Sequence, residues 1–253
     1  MKDGRIAAIG NLADAHARRV IDAHGLVVAP GFIDMLGQSE VTMLVDPHVP
    51  SKIFQGITTE ITGEGESVAP LDAGMIEQRQ ATYAHYGITP DWRTLEQYFA
   101  RLQKQGMGIN VGTYVGATSV REMVMGYENR APTPDELKKM QALVADAMKQ
   151  GALGLSTALE YTPAPYAGTD ELIALAKVAA RHGGIYATHM RNEGDAEMAA
   201  LDETFRIGRE ADIPVEIFHL KATGNLKGRM AQVIARIDAA RASGIDVAAD
   251  TYA

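Results

Sequence analysis

Two histidines stand at matched positions, in Ile185-Tyr186-Ala187-Thr188-His189 and in Glu216-Ile217-Phe218-His219, each at the carboxyl end of an apolar run. Neutral imidazole is a common zinc ligand, and imidazoles on successive strand ends of a parallel barrel point into the same mouth. A lone strand-end histidine is most simply a hydrogen-bonded core residue. The matched pair, each followed two positions on by a cation (Arg191 and Lys221), points instead to a site. A third donor is offered by Thr58-Thr59-Glu60-Ile61-Thr62-Gly63-Glu64-Gly65-Glu66, a strand running into a glycine-spaced acidic turn. One carboxylate from that turn beside two imidazoles would complete the three protein ligands of a catalytic zinc centre, with the fourth position open to water. Tyr161 lies in a Pro-rich loop, Leu159 to Tyr166, that follows another apolar run. It can donate a hydrogen bond to a carbonyl oxygen as charge develops there, or simply pack against the prolines. The other five histidines, His16, His24, His48, His85 and His182, read as surface or structural residues.

Short apolar runs alternate with longer amphipathic segments from residue 27 onward, the βαβα pattern of a parallel sheet. Seven strands are predicted: Val27–Asp34, Gly56–Thr62, Ile109–Val115, Ala152–Ala158, Gly184–His189, Pro214–Leu220 and Asp246–Ala249. Helix starts are legible between them. Thr133-Pro134-Asp135-Glu136 and Thr94 with Gln97 have the form of capping boxes. A further helix opens near Thr169-Asp170-Glu171, presents Leu172, Leu175, Ala176 and Ala179 on one face, and stops at Gly183-Gly184. Residues 1–28 differ, with strands predicted over 4–10 and 20–28, and are expected to be part of a small β-sandwich domain. Residues 29–253 then form the α/β barrel body.

The chain has 253 residues, 46% hydrophobic and 22% charged, which is enough apolar material for a sizeable core and excludes disorder. Its net charge of −8 gives no bulk attraction to nucleic acid or to an anionic membrane surface. No stretch approaches the ~18 apolar residues of a membrane span, so a cytoplasmic location is the default expectation. Cysteine is absent, so a metal must sit on His, Asp, Glu or a modified Lys. About 250 residues is also the usual size of a complete (β/α)8 barrel, but seven strands plus an N-terminal β segment fall short of one.

Taken in order, Val28-Ala29-Pro30-Gly31-Phe32-Ile33-Asp34, Gln55-Gly56-Ile57-Thr58-Thr59, Gly154-Leu155-Ser156-Thr157, Thr188-His189-Met190-Arg191-Asn192-Glu193 and Phe218-His219-Leu220-Lys221 resemble the amidohydrolase superfamily. More narrowly, they resemble its D-aminoacylase, or N-acyl-D-amino-acid deacylase, branch. The resemblance covers nearly the whole chain and implies a TIM-type barrel of the metal-dependent hydrolase kind. It implies zinc ligands at His189 and His219, a carbonyl-polarising Tyr161 and a carboxylate-binding Lys221. Arg191 is implied as either a substrate contact or a scaffold. The substrate implied is a small molecule, an N-acyl amino acid, hydrolysed by metal-activated water.

Two departures stand out. The family's first strand ends Asp-x-His-x-His, whereas Asp34-Met35-Leu36-Gly37-Gln38 places Leu36 and Gln38 at the histidine positions. The branch's bridging cysteine falls in the turn Gly63-Glu64-Gly65-Glu66, where Glu64 is expected to serve in its place, with Glu66 the alternative. Both changes leave a mononuclear site of Glu64, His189 and His219 intact, so one zinc ion is expected. The resemblance puts the proton-carrying aspartate at the end of an eighth strand, and Asp250 belongs to the seventh. The sequence is therefore expected to be a piece of a longer polypeptide, inactive by itself. Cyclic-amide or dipeptide hydrolysis, or a non-catalytic ligand-binding role, are the alternatives.

Overall fold

The computed structural model describes residues 2–12, 15–224 and 228–251. The chain divides into two compact units, Met1–Pro30 and Gly31–Ala253. In the first, the β pairing among the described residues is an isolated antiparallel bridge between Lys2 and Arg5. The strands predicted over 4–10 and 20–28 are not formed. Ile9 and Val27 are 88% and 93% exposed, so beyond the single bridge at Arg5 these runs have neither ladder pairing nor a covered apolar face, and a strand needs both.

The second unit carries the strands β1 (Phe32–Asp34), β2 (Ile57–Thr62), β3 (Asn110–Thr113), β4 (Val115–Gly116), β5 (Gly154–Ala158), β6 (Ile185–His189), β7 (Val215–Ile217) and β8 (Val247–Ala249). Its first helices are α1 (Thr42–Val45), α2 (Pro50–Ile53), α3 (Ala73–Gln78), α4 (Gln80–His85) and α5 (Leu95–Gln105). They are followed by α6 (Ala117–Met125), α7 (Pro134–Lys149), α8 (Thr169–Arg181), α9 (Glu197–Ala211) and α10 (Met230–Ala242). This is an α/β fold whose strands pair in chain order, β1-β2-β3 in one sheet and β4-β5-β6-β7-β8 in another, every pair parallel. Because all run the same way, their carboxyl ends share one rim.

The predicted third strand is split in two. Tyr114 interrupts it, donating its amide to Thr62 O at 2.9 Å on one side, while Thr113 O accepts from Leu153 N at 2.9 Å on the other. The chain thus changes partner from β2 to β5 within a few residues, and its register changes with it. β7 is shorter than the strand predicted there, Pro214–Leu220, because the side chain and backbone of Asp250 capture the chain leaving it. His219 N donates to Asp250 Oδ1 at 2.5 Å, and Leu220 N donates to Asp250 O at 2.8 Å. His219 adopts φ +38°, a left-handed conformation uncommon for residues other than glycine, though histidine enters it more often than most. That turn ends the strand and sends the imidazole into the rim.

The helix signals act as read. Thr94 and Gln97 close a capping box on α5, and Thr133 and Glu136 close one on α7 with Pro134 in its first turn. Leu172, Leu175, Ala176 and Ala179 of α8 are all buried. One buried ion pair joins helices across this layer. Arg121 of α6 donates to both oxygens of Glu171 on α8 at 2.8 and 2.6 Å, and also to the carbonyls of Glu128 and Arg130. Removing one partner leaves a buried charge uncompensated, which outweighs the loss of a helix cap. Glu171→Ala is expected to lower unfolding stability by about 3–5 kcal/mol and Thr133→Ala by about 1 kcal/mol, as read by urea denaturation.

Candidate metal centre

The turn after β2 is fixed by its neighbours before it presents any ligand. Ser156 of β5 accepts from Gly65 N at 3.0 Å, and its hydroxyl donates to Gly63 O. Gly65 O accepts from Thr118 N at 3.0 Å, and Gly63 N donates to Glu40 Oε1 at 3.1 Å. Gly65 has φ +71°, and a Cβ there would lie 2.5 Å from the backbone nitrogen and the Cβ of Ala158. Only glycine lets the turn lie this close to the end of β5, and Glu64 emerges from it toward the rim.

His189, the last residue of β6, and His219, just past β7, meet that carboxylate. Glu64 Oε1 is 3.0 Å from His189 Nδ1 and 3.0 Å from His219 Nε2. The two rings stand edge to face with centroids 4.6 Å apart. The Glu64, His189 and His219 side chains are 12%, 6% and 11% exposed, so water contributes little to their solvation. Gln38 Nε2 donates to the other Glu64 oxygen at 2.6 Å. Burial raises the pKa of Glu64, but hydrogen bonds from His189, His219 and Gln38 override it and hold the carboxyl far below the usual range. Hydrogen bonds to Glu193 and Glu64 push the His219 pKa up to about 9. A proton on His219 supplies positive charge beside Glu64, and a metal ion at Nε2 would take its place.

The donor set fits a metal ion. One atom from each of Glu64, His189 and His219 lies within 4.8 Å of the other two. Two imidazoles and a carboxylate make a common catalytic zinc set, and tetrahedral ligands at about 2.0–2.1 Å from zinc stand at comparable mutual spacing. The Nε2 atom of His189 is buried without a hydrogen-bond partner and is 3.6 Å from Glu160 Oε2.

The other candidates separate clearly. Glu66 does not join the two imidazoles; its carboxylate is 3.2 Å from Arg79. Tyr161 is 59% exposed, with its ring 5.1 Å from that of His189, and lines a cavity of about 350 Å³ with Gln38, Glu40, Glu64 and Glu66. Lys221 Nζ lies 2.5 Å from Glu193 Oε2 and 3.0 Å from His219 Nδ1. Arg191 pairs with both oxygens of Glu203 on α9 at 2.8 and 3.0 Å, and donates to the carbonyls of Pro165 and Ala167. Its guanidinium therefore braces the Pro-rich loop against α9. Asp250 Oδ1 accepts from the His219 backbone, and its Oδ2 is buried without a hydrogen-bond partner. His16, His24, His48, His85 and His182 are exposed.

Leu36 packs with Met35 against an apolar cluster of Ile61, Tyr114, Ala187 and Phe218. Sequence reasoning gave no role to Glu193, whose Oε1 is 3.0 Å from His219 Nδ1. The available signal was a carboxylate four residues beyond a strand-end histidine, inside a motif already singled out.

Parallel strands delivering two imidazoles and a carboxylate to one rim have the layout of a metal-dependent hydrolase. The sequence pattern of the amidohydrolase family matches residues 19–251, and the chain belongs to that family. It is 41% identical over 254 aligned positions to the D-aminoacylase of Alcaligenes xylosoxydans xylosoxydans, covering 100% of this chain and 52% of that protein. A D-aminoacylase structure described as having a binuclear metal center, with one-metal activation and second-metal attenuation, superposes with a TM-score of 0.86 at 40% identity, covering 98% of this chain and 52% of that one. The N-acyl-D-glutamate deacylase of Bordetella bronchiseptica, solved with zinc and a phosphonate mimic of the tetrahedral intermediate, gives 0.85 at 38% identity, covering 99% and 53%. The chain spans about half the length of the curated relatives it matches.

Two outcomes follow from this geometry. Gly65→Ala is expected to destabilise the protein by about 2–4 kcal/mol, because the new Cβ meets backbone and the residue must hold a positive φ. A zinc titration should show weakened binding alongside the lowered melting temperature. Burial pushes the Glu40 carboxyl up to about 7 from 4.5, against the opposing hydrogen bond from Gly63. The folded protein then keeps a proton that the unfolded chain releases, so stability falls as pH rises from 4.5 to 7 and levels off above. Glu40→Gln should remove that fall and raise stability by about 2 kcal/mol at pH 8 with little change at pH 4, as read from melting temperatures across pH.

Proposed function

We propose that this protein hydrolyses the amide bond of N-acyl-D-amino acids, using one zinc ion held by Glu64, His189 and His219. The observation that carries the reading is the convergence of the three donors on one point, with Glu64 Oε1 3.0 Å from each imidazole. The 41% identity to a D-aminoacylase across the whole chain supports the substrate class. Gln38 supports the single ion. Its amide N–H groups are donors only, and one of them occupies Glu64 Oε2, leaving Oε1 as the ligand oxygen.

When bound there, zinc supplies Lewis acidity to the scissile carbonyl and acidifies water at neutral pH. The surrounding side chains take distinct roles in this reading. Tyr161, exposed at the cavity edge, donates its hydroxyl proton in a hydrogen bond to the carbonyl oxygen as negative charge accumulates. Lys221 receives the carboxylate of the amino acid and so orients the amide over the three ligands. Arg191 does not contact substrate; through Glu203 and the carbonyls of Pro165 and Ala167 it fixes the loop that carries Tyr161. A proton must pass from water to the leaving amine, and the resemblance assigns that transfer to an aspartate on a strand following β8, not to Asp250.

The decisive experiment is metal analysis of the purified full-length protein together with hydrolysis of a panel of N-acetyl-D- and N-acetyl-L-amino acids. Expected are near-stoichiometric zinc, loss of zinc in His219→Ala, and hydrolysis of D-substrates that a chelator abolishes. A protein that holds no zinc, or one that holds zinc and cleaves only cyclic amides or dipeptides, would overturn the reading.

A further inference from the structure

Glu193 faces two functional groups at once. Oε1 lies 3.0 Å from His219 Nδ1, and Oε2 lies 2.5 Å from Lys221 Nζ. The side chain is 10% exposed. Its backbone carbonyl accepts from the amide of Thr223 at 3.1 Å and from the Thr223 hydroxyl at 2.5 Å. The segment after β6 is thereby tied to the segment after β7, and the carboxylate is held between the histidine and the lysine of the latter.

We propose that Glu193 is a positioning residue for both metal and substrate. By accepting the Nδ1 proton of His219 it leaves Nε2 as the ligating nitrogen, and by pairing with Lys221 it holds the ammonium at the mouth for the substrate's carboxylate. The proposal rests on the single-zinc deacylase reading above.

The ring nitrogens of His219 are not equivalent, and two neighbours make opposite demands on Nδ1. Lys221 Nζ, also 3.0 Å away, carries only donors and would require a bare Nδ1, which puts the ring's proton on Nε2. Nε2 is the nitrogen that faces Glu64, at 3.0 Å, so that tautomer excludes metal. A carboxylate carries only acceptors and requires the reverse. Distance and charge decide between them. The ammonium has its closer partner in Glu193 Oε2, at 2.5 Å against 3.0 Å to the ring, while an N–H facing a carboxylate forms a charge-assisted bond. Glu193 therefore sets the tautomer and also engages the cation that would oppose it. Outer partners of this kind commonly change metal affinity 10- to 100-fold when removed. Here the same group also orients Lys221, so its loss should appear in substrate binding as well.

The test uses the full-length protein. In the zinc-loaded wild type, nitrogen-15 NMR should show His219 protonated at Nδ1, with that proton shifted far downfield by the carboxylate, and Nε2 metal-bound. A bare or metal-bound Nδ1 overturns the proposal without any mutation. In Glu193→Gln, zinc affinity measured against a chromophoric chelator should weaken roughly 10- to 100-fold and KM for an N-acetyl-D-amino acid should rise. Glu210→Gln, at the exposed far end of α9, should change neither. A folded Glu193→Gln protein with wild-type zinc affinity and KM overturns the positioning role alone. Equal zinc binding by wild type and His219→Ala instead overturns the metal reading on which it rests.

Discussion

Taking the Glu64 carboxylate out of water costs free energy that only close donors or a cation can return, and the rim is built around that requirement. Two imidazole nitrogens at 3.0 Å and an amide at 2.6 Å meet it. Their convergence depends on register. Ala158 pairs with His189, and Thr188 pairs with Ile217, so a slip of one residue in either ladder would turn a histidine to the opposite face of the sheet. The turn bearing Glu64 is fastened to β5 through Ser156 and to the segment after β1 through Glu40. Strands far apart in sequence therefore fix one oxygen atom, and the left-handed backbone of His219 is a local strain that this network holds in place.

How much of this was legible depended on whether the deciding force was local. The strand-end histidines were readable because each closes an apolar run, and the helix starts because a capping box is complete within four residues. The α8 face was readable from its helical spacing. What escaped prediction involved partners distant in the chain. The early end of β7 depends on Asp250, 31 residues beyond His219. The split at Tyr114 depends on a change of neighbour between β2 and β5. That Glu64, and not Glu66, meets the imidazoles goes with the pairing of Glu66 to Arg79. Arg191 carries two readings in the sequence, and the distant partners of its guanidinium, Glu203 and two loop carbonyls, appear only in the structure. The runs over 4–10 and 20–28 have strand composition but lack the pairing that makes a strand, which composition alone cannot report.

The residues at positions 36 and 38 each have a defined place beside this site. A histidine at 36 would bring a polar ring to the cluster of Ile61, Tyr114, Ala187 and Phe218, where Leu36 adds apolar contact without a hydrogen-bonding requirement. That cluster sits directly behind the site, since Phe218 precedes His219 and Ala187 lies two residues before His189. At 38, a neutral histidine could offer Glu64 one donor, whereas the Gln38 amide always presents a donor and carries no charge that changes with pH. The carboxylate thus has one oxygen held by a fixed neutral dipole and one aimed between the two imidazoles. This arrangement aims Oε1 at the space between the two imidazoles, while Oε2 is turned to Gln38.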